Sequence, residues 1–98
     1  MNSSPEVVLG IAWFRPDQWD LLRSLSVDVD VLELTHAEWE KLARQTIQDL
    51  ARQGILARRV DVDVEQLQAW CIAQQRPLDA SSRAAYAAAR LRDGSEFA

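Results

Sequence analysis

Residues 55–71 read ILARRVDVDVEQLQAWC, and this stretch decides the fold. From Ile55 to Val62 the residues are β-branched or apolar with charges interleaved, which predicts a strand. From Val64 the apolar residues fall at Val64, Leu67, Trp70 and Cys71, a helical spacing. Asp63 stands at the junction, where its carboxylate can accept from the free N–H groups of the first helical turn. Gln66, three residues on, completes a capping-box pattern. In the strand, Leu56, Val60 and Val62 share one face and Arg59 and Asp61 the other, so a one-sided strand is expected. Its helix is predicted over 64–75, stopping before Pro77.

Working outward, 7–14 (VVLGIAWF) reads as a second strand, apolar on both faces. Gly10 and Ala12 leave one of those faces shallow enough for a helix or a second subunit to approach closely. Pro16 fits a first helical position, and Trp19, Leu22 and Leu25 share a stripe of a short helix over 16–25. Thr35 and Glu38 form a capping box for a helix over 36–53, with Trp39, Leu42, Ala43, Thr46, Ile47 and Leu50 as its apolar stripe. Glu40 and Arg44 can pair across one turn, and Gly54 suits a left-handed cap. Asp79 opens a last helix over 80–92. Its expected apolar stripe is Ala80, Ala84, Ala87, Ala88 and Leu91, with Arg83, Tyr86 and Arg90 on the opposite side.

The segment 27–34 is ambiguous. Its VDVDV alternates like a strand, yet Asp is a poor strand former, and an extended connection fits equally well. The same five residues recur at 60–64, but the alignment fails beyond them and no solenoid period is present.

The expected fold is therefore α+β, a small two- or three-stranded sheet packed with about four helices, in the order strand-helix-helix-strand-helix-helix. It forms one domain over 1–93. A chain of this size buries roughly two-thirds of its unfolded surface, enough for a modest core. Residues 94–98, beginning Gly-Ser-Glu-Phe, read as a flexible tail or as translated cloning sites. Two strands make a poor sheet, so either 27–34 adds a third or two chains pair edge to edge.

Charge and chemistry narrow the function classes. The net charge is −4, with 15 acidic against 11 basic residues; this field repels phosphate backbones and gives no reason to expect attraction to anionic membranes. Neither a signal peptide nor a membrane span is expected. The lone Cys71 excludes an intramolecular disulfide and suits the cytoplasm.

His36 and Cys71 are single, and nothing in the pattern brings them together. Cys71 lies on a core stripe, and His36 is expected to be exposed in a first helical turn. Asp28, Asp30 and Glu33, or Asp61, Asp63 and Glu65, could donate oxygens to a cation. Neither run has the glycine turn of a calcium loop, and alternate strand residues stand about 7 Å apart. The three glycines are scattered, so no phosphate loop is present. No catalytic residue, metal or cofactor is expected.

Four tryptophans, at 13, 19, 39 and 70, fall on the apolar stripes, and tryptophan is a favoured interface anchor. Trp13, Phe14 and Trp70 are the expected contact residues, with Tyr86, Arg83 and Arg90 beside them.

Ile11-Ala12-Trp13-Phe14, Trp19, Glu38-Trp39, Val60-Asp61-Val62-Asp63, Ala69-Trp70-Cys71 and Arg83-Ala84-Ala85-Tyr86 together span most of the chain. In this combination the sequence resembles a small family of uncharacterised bacterial single-domain proteins. The resemblance implies a cytoplasmic bacterial protein and supplies no catalytic residue. The reading favoured by the residues is a non-enzymatic protein-interaction module acting as a homodimer, with an unidentified protein as a further partner. One alternative is a small nucleic-acid-binding regulator using the arginines of the last helix. Another is a ligand binder or enzyme with a pocket between sheet and helices.

Overall fold

The computed structural model describes residues 7–95. Strand β1 (Val7–Phe14) leads through a 3-10 turn (Pro16–Gln18) into helix α1 (Trp19–Leu25). A second 3-10 turn (Val29–Val31) precedes α2 (His36–Arg52), followed by β2 (Ile55–Val62), α3 (Val64–Ala73) and α4 (Ala80–Ser95). The class is α+β, with four helices and a two-stranded sheet among the described residues. Two short turns that the sequence reading does not contain interrupt the expected order. Residues 27–34 add no third strand. Helix α4 continues through Gly94 and Ser95, so the expected tail is helical there; 96–98 lie outside the described residues.

The strands run parallel, Val7 opposite Ile55 through to Phe14 opposite Val62. Parallel neighbours need a long crossover, and α1 and α2 supply it. Partners in a parallel ladder share a face. One face therefore carries Leu9, Ile11 and Trp13 with Ile55, Ala57, Arg59 and Asp61. The other carries Val8, Gly10, Ala12 and Phe14 with Leu56, Arg58, Val60 and Val62.

Helix α4 packs chiefly against β1 and α2 chiefly against β2. A Cβ on Gly10 would stand 3.1 Å from the Ala87 carbonyl oxygen and 3.4 Å from Leu91 Cδ2. The absent side chain is what lets α4 come this close. Ile55 and Ala57 are half-buried, so β2 is covered on both faces rather than one. Leu56, on the face of Val60 and Val62, is largely exposed instead.

The core gathers at the carboxyl ends of the strands. Phe14, Trp19, Leu22, Val62, Val64, Leu67, Cys71, Leu78 and Tyr86 form one buried cluster. Gln18 sits within this end and is only 8% exposed. Its Oε1 accepts from the Val64 N–H at 2.8 Å, and its Nε2 donates to Asp63 at 3.4 Å. One amide thus joins the entrance of α1 to the entrance of α3.

The caps follow the sequence closely. Thr35 and Glu38 form the expected capping box, and Asp63 accepts from the Gln66 N–H at 3.1 Å. The Gln66 side chain does not reach back, so no capping box forms there. Gly54 ends α2 at φ 81°. Helix α3 ends two residues earlier than expected, in a Schellman motif. The Arg76 N–H reaches the Cys71 carbonyl at 2.9 Å and the Gln75 N–H that of Ile72 at 3.1 Å. Gln75 holds the left-handed position, at φ 56°.

Two helix faces are rotated from expectation. In α2, Ala43 is buried and Trp39, Ile47 and Leu50 are half-buried, while Leu42 and Thr46 face out. In α4 the buried residues are Ser82, Arg83, Tyr86 and Ala87, while Ala80 and Ala84 are exposed.

Candidate interaction surface

The carboxyl end of β1 delivers Trp13 and Phe14 into an aromatic cluster. Trp39 on α2 is its hub, with ring centroids 5.0 Å from Trp13, 5.4 Å from Phe14 and 5.4 Å from Trp19. Most of these pairs are tilted or edge-on, the arrangement that aromatic quadrupoles prefer. The Trp19 indole N–H donates to the Glu33 carbonyl at 3.2 Å, so its polar atom is satisfied.

His36 belongs to this cluster, which corrects its expected exposure. Its ring lies 5.1 Å from Trp39 and 5.9 Å from Trp19, and its side chain is 11% exposed. Nε2 stands 2.6 Å from the Phe14 carbonyl oxygen. A carbonyl can only accept, so Nε2 carries the proton. Nδ1 faces Glu40 at 3.8 Å. The imidazole ties the start of α2 to the end of β1, a role set by the first-turn position that residue type alone does not reveal.

Of the expected contact residues, Trp13 is half-buried and Phe14 is a core residue, 4% exposed. Trp70 is half-buried, edge-on to Tyr86 at 5.4 Å and under the Arg76 guanidinium at 5.3 Å. Tyr86 and Arg83 are buried, so they do not occupy the outward side of α4; Arg90 does. Tyr86 has too much apolar area to leave in water beside a row of alanines. Arg83 is drawn in by Asp28, which it meets at 2.8 and 2.9 Å, and it also donates to the Ser26 hydroxyl at 3.2 Å.

Burial pushes the Cys71 thiol above its ordinary range, which leaves little thiolate to act as a nucleophile. Among the described residues no three His, Cys, Asp or Glu side chains gather to hold a metal ion. At the carboxyl ends of the strands Arg15, Asp61, Val62, Asp63 and Gln66 line an open cleft of about 360 Å³. Its charges partly neutralise one another, Arg15 lying 3.7 Å from Asp63. Hydrogen bonds from the Gln66 and Glu65 backbone hold the Asp63 carboxyl below its ordinary value, as a helix cap requires.

Family models, curated proteins and solved structures were all compared with the chain, and none matches. The site therefore rests on geometry. Among the described residues no helix is long and apolar enough to cross a membrane.

The amino-terminal half of the sheet differs from the carboxyl end. Val8 and Leu9 are 41% and 44% exposed, on opposite faces of β1, and Leu56, the ladder partner of Val8, is 49% exposed. Strand β1 contains no charged residue, whereas β2 carries Arg58, Arg59 and Asp61. The two free edges of the sheet are thus chemically unlike. This contrast is readable from the sequence once the strand order is known.

Proposed function

We propose that this chain is a non-enzymatic interaction module of the bacterial cytoplasm that works as a homodimer through the free edge of β1. The observation that carries the proposal is the uncharged β1 edge with Val8 and Leu9 exposed on its two faces. Charged side chains on an edge strand oppose pairing, and β2 has them while β1 does not. A two-stranded sheet is also marginal by itself. Under two-fold symmetry β1 meets its copy antiparallel, giving a four-stranded sheet with the charged β2 strands outermost. Val8 and Leu9 then lie beside the partner's β1, one on each face of the joined sheet, and Leu56 lies at the margin. The aromatic cluster holds β1 rigid at its other end, so little order has to be gained on association.

Sedimentation equilibrium tests this. A species of twice 11.1 kDa is expected at micromolar concentration, and Leu9→Lys should return it to the monomer while leaving the circular dichroism intact. A wild-type chain that stays monomeric across that range overturns the proposal.

A further inference from the structure

The face of the sheet under α2 carries a feature that dimerisation through β1 does not use. The guanidinium carbon of Arg44 lies 5.4 Å from the Trp13 ring centroid and that of Arg59 lies 5.1 Å from it. Beside them opens a pocket of about 230 Å³ lined by Arg44, Ile47, Gln48 and Arg59. No acidic side chain lines it, in a chain where acids outnumber bases 15 to 11. Arg44 gives its Nε and Nη2 to Glu40 at 2.9 and 2.6 Å, which leaves Nη1. Arg59 rests on Trp13 with no ion-pair partner among the described residues. A second cleft of about 340 Å³, lined by Ala37, Glu40, Lys41 and Arg44, adjoins through Arg44 and adds an ammonium group.

A guanidinium stacked on an aromatic ring keeps its N–H edge outward and loses little further freedom when it binds. Arg44 is already paired with Glu40 and offers its remaining Nη1, so Arg59 brings the uncompensated charge to the pocket, and a guanidinium fork suits oxyanions. We infer that the pocket between Arg44, Gln48 and Arg59 binds a small phosphate-bearing anion. The two guanidiniums grip its oxygens, the Gln48 amide donates a third hydrogen bond, and the Lys41 side of the adjoining cleft takes a second phosphate. A small anion is favoured over a nucleic-acid strand because the chain's net charge of −4 repels a long polyanion, while the local arginines of this open pocket still attract a compact one.

The test is a pyrophosphate titration of the full chain, followed by the arginine Nε–H and Trp13 indole N–H resonances in heteronuclear spectra, with sodium chloride at matched ionic strength as reference. Saturable shifts at Arg44, Arg59 and Trp13 are expected. Arg59→Ala should weaken binding about tenfold or more. Gln48→Glu, which places a carboxylate in the pocket without disturbing the core, should abolish it. Arg58→Ala makes the same change of net charge on the opposite face of β2 and should bind as the wild type does. Equal responses to chloride, or unaltered binding by Arg59→Ala and Gln48→Glu, overturn the assignment. So does a short oligothymidylate that binds far more tightly than pyrophosphate, since that result would assign the surface to a nucleic-acid strand. None of these outcomes depends on whether the β1 edge forms a dimer.

Discussion

The Arg83 guanidinium holds the Asp28 carboxylate through two parallel hydrogen bonds, Nη1 to Oδ1 at 2.9 Å and Nη2 to Oδ2 at 2.8 Å. The residues are 55 positions apart, and their side chains are only 10% and 22% exposed. Asp28 also accepts from the Ala80 N–H at 2.9 Å, so one carboxylate binds a core arginine and caps the first turn of α4. The pair pins the α1–α2 connection to α4. Arg83→Ala should cost about 2–3 kcal/mol, because it leaves a partly buried carboxylate without its counter-charge. Asp28→Asn should cost less, since an amide oxygen can still cap Ala80. Urea midpoints of the two variants measure the order, and an Arg83→Ala midpoint equal to the wild type would exclude the pair as a structural tie.

The same pair sets an acid limit. The hydrogen bonds from Arg83 lower the Asp28 carboxyl below its ordinary value of 3.8, and those from the Gln66 and Glu65 backbone lower Asp63. A carboxylate whose folded pKa is depressed stabilises the fold above its unfolded pKa and loses that contribution as pH falls through the folded value. Both contributions are therefore complete above about pH 5 and disappear below the ordinary carboxylate value. The difference in stability between the wild type and Asp28→Asn should be constant from about pH 5 to 7 and should close on further acidification. A difference that persists undiminished at about pH 2 would mean that charge is not what Asp28 contributes.

The two VDVDV copies show what sequence can and cannot reveal here. At 60–64, Val60, Asp61 and Val62 end a strand, Asp63 caps and Val64 starts a helix. That copy was legible because β propensity, cap chemistry and helical spacing agree. At 27–31 the same residues make a 3-10 turn, because Asp28 is claimed by Arg83 and Ala80, more than fifty positions away. Local pattern carries no trace of that partner.

The buried face of α4 is hidden from the sequence for a related reason. Its many alanines give nearly every face some apolar character, and the buried face is instead chosen by Tyr86 against Trp70 and Arg83 against Asp28. The tryptophans, β1 and the caps announced themselves through residue type. His36 in the aromatic cluster and Arg59 on Trp13 required the parallel register to become visible.

Gly10 is a position where α4 leaves little room for a side chain. The nearest atom to an added Cβ is a backbone oxygen, that of Ala87, which cannot swing away as a side chain would. Gly10→Ala should force α4 outward by a few tenths of an ångström, and Gly10→Val more. Costs of about 1–3 kcal/mol are expected, rising with side-chain size. Thermal melts of the two variants test this, and because β propensity alone would favour valine, a valine variant more stable than alanine would refute the close approach.

Gln75 offers the opposite case, a site where the chain is less stable than it could be. It occupies the left-handed position of the Schellman motif ending α3, at φ 56°, where a Cβ is strained and glycine is not. Its side chain is exposed, so little packing is lost on its removal. Glycine also makes the unfolded chain more flexible, which offsets part of the gain. Gln75→Gly should therefore stabilise by about 0.5–1 kcal/mol net. Gln74→Gly, one residue earlier at φ −87°, has no strain to relieve and should destabilise. Opposite shifts of the urea midpoint for these two neighbouring substitutions would establish that backbone conformation at position 75 is the cause; shifts of the same sign would exclude it.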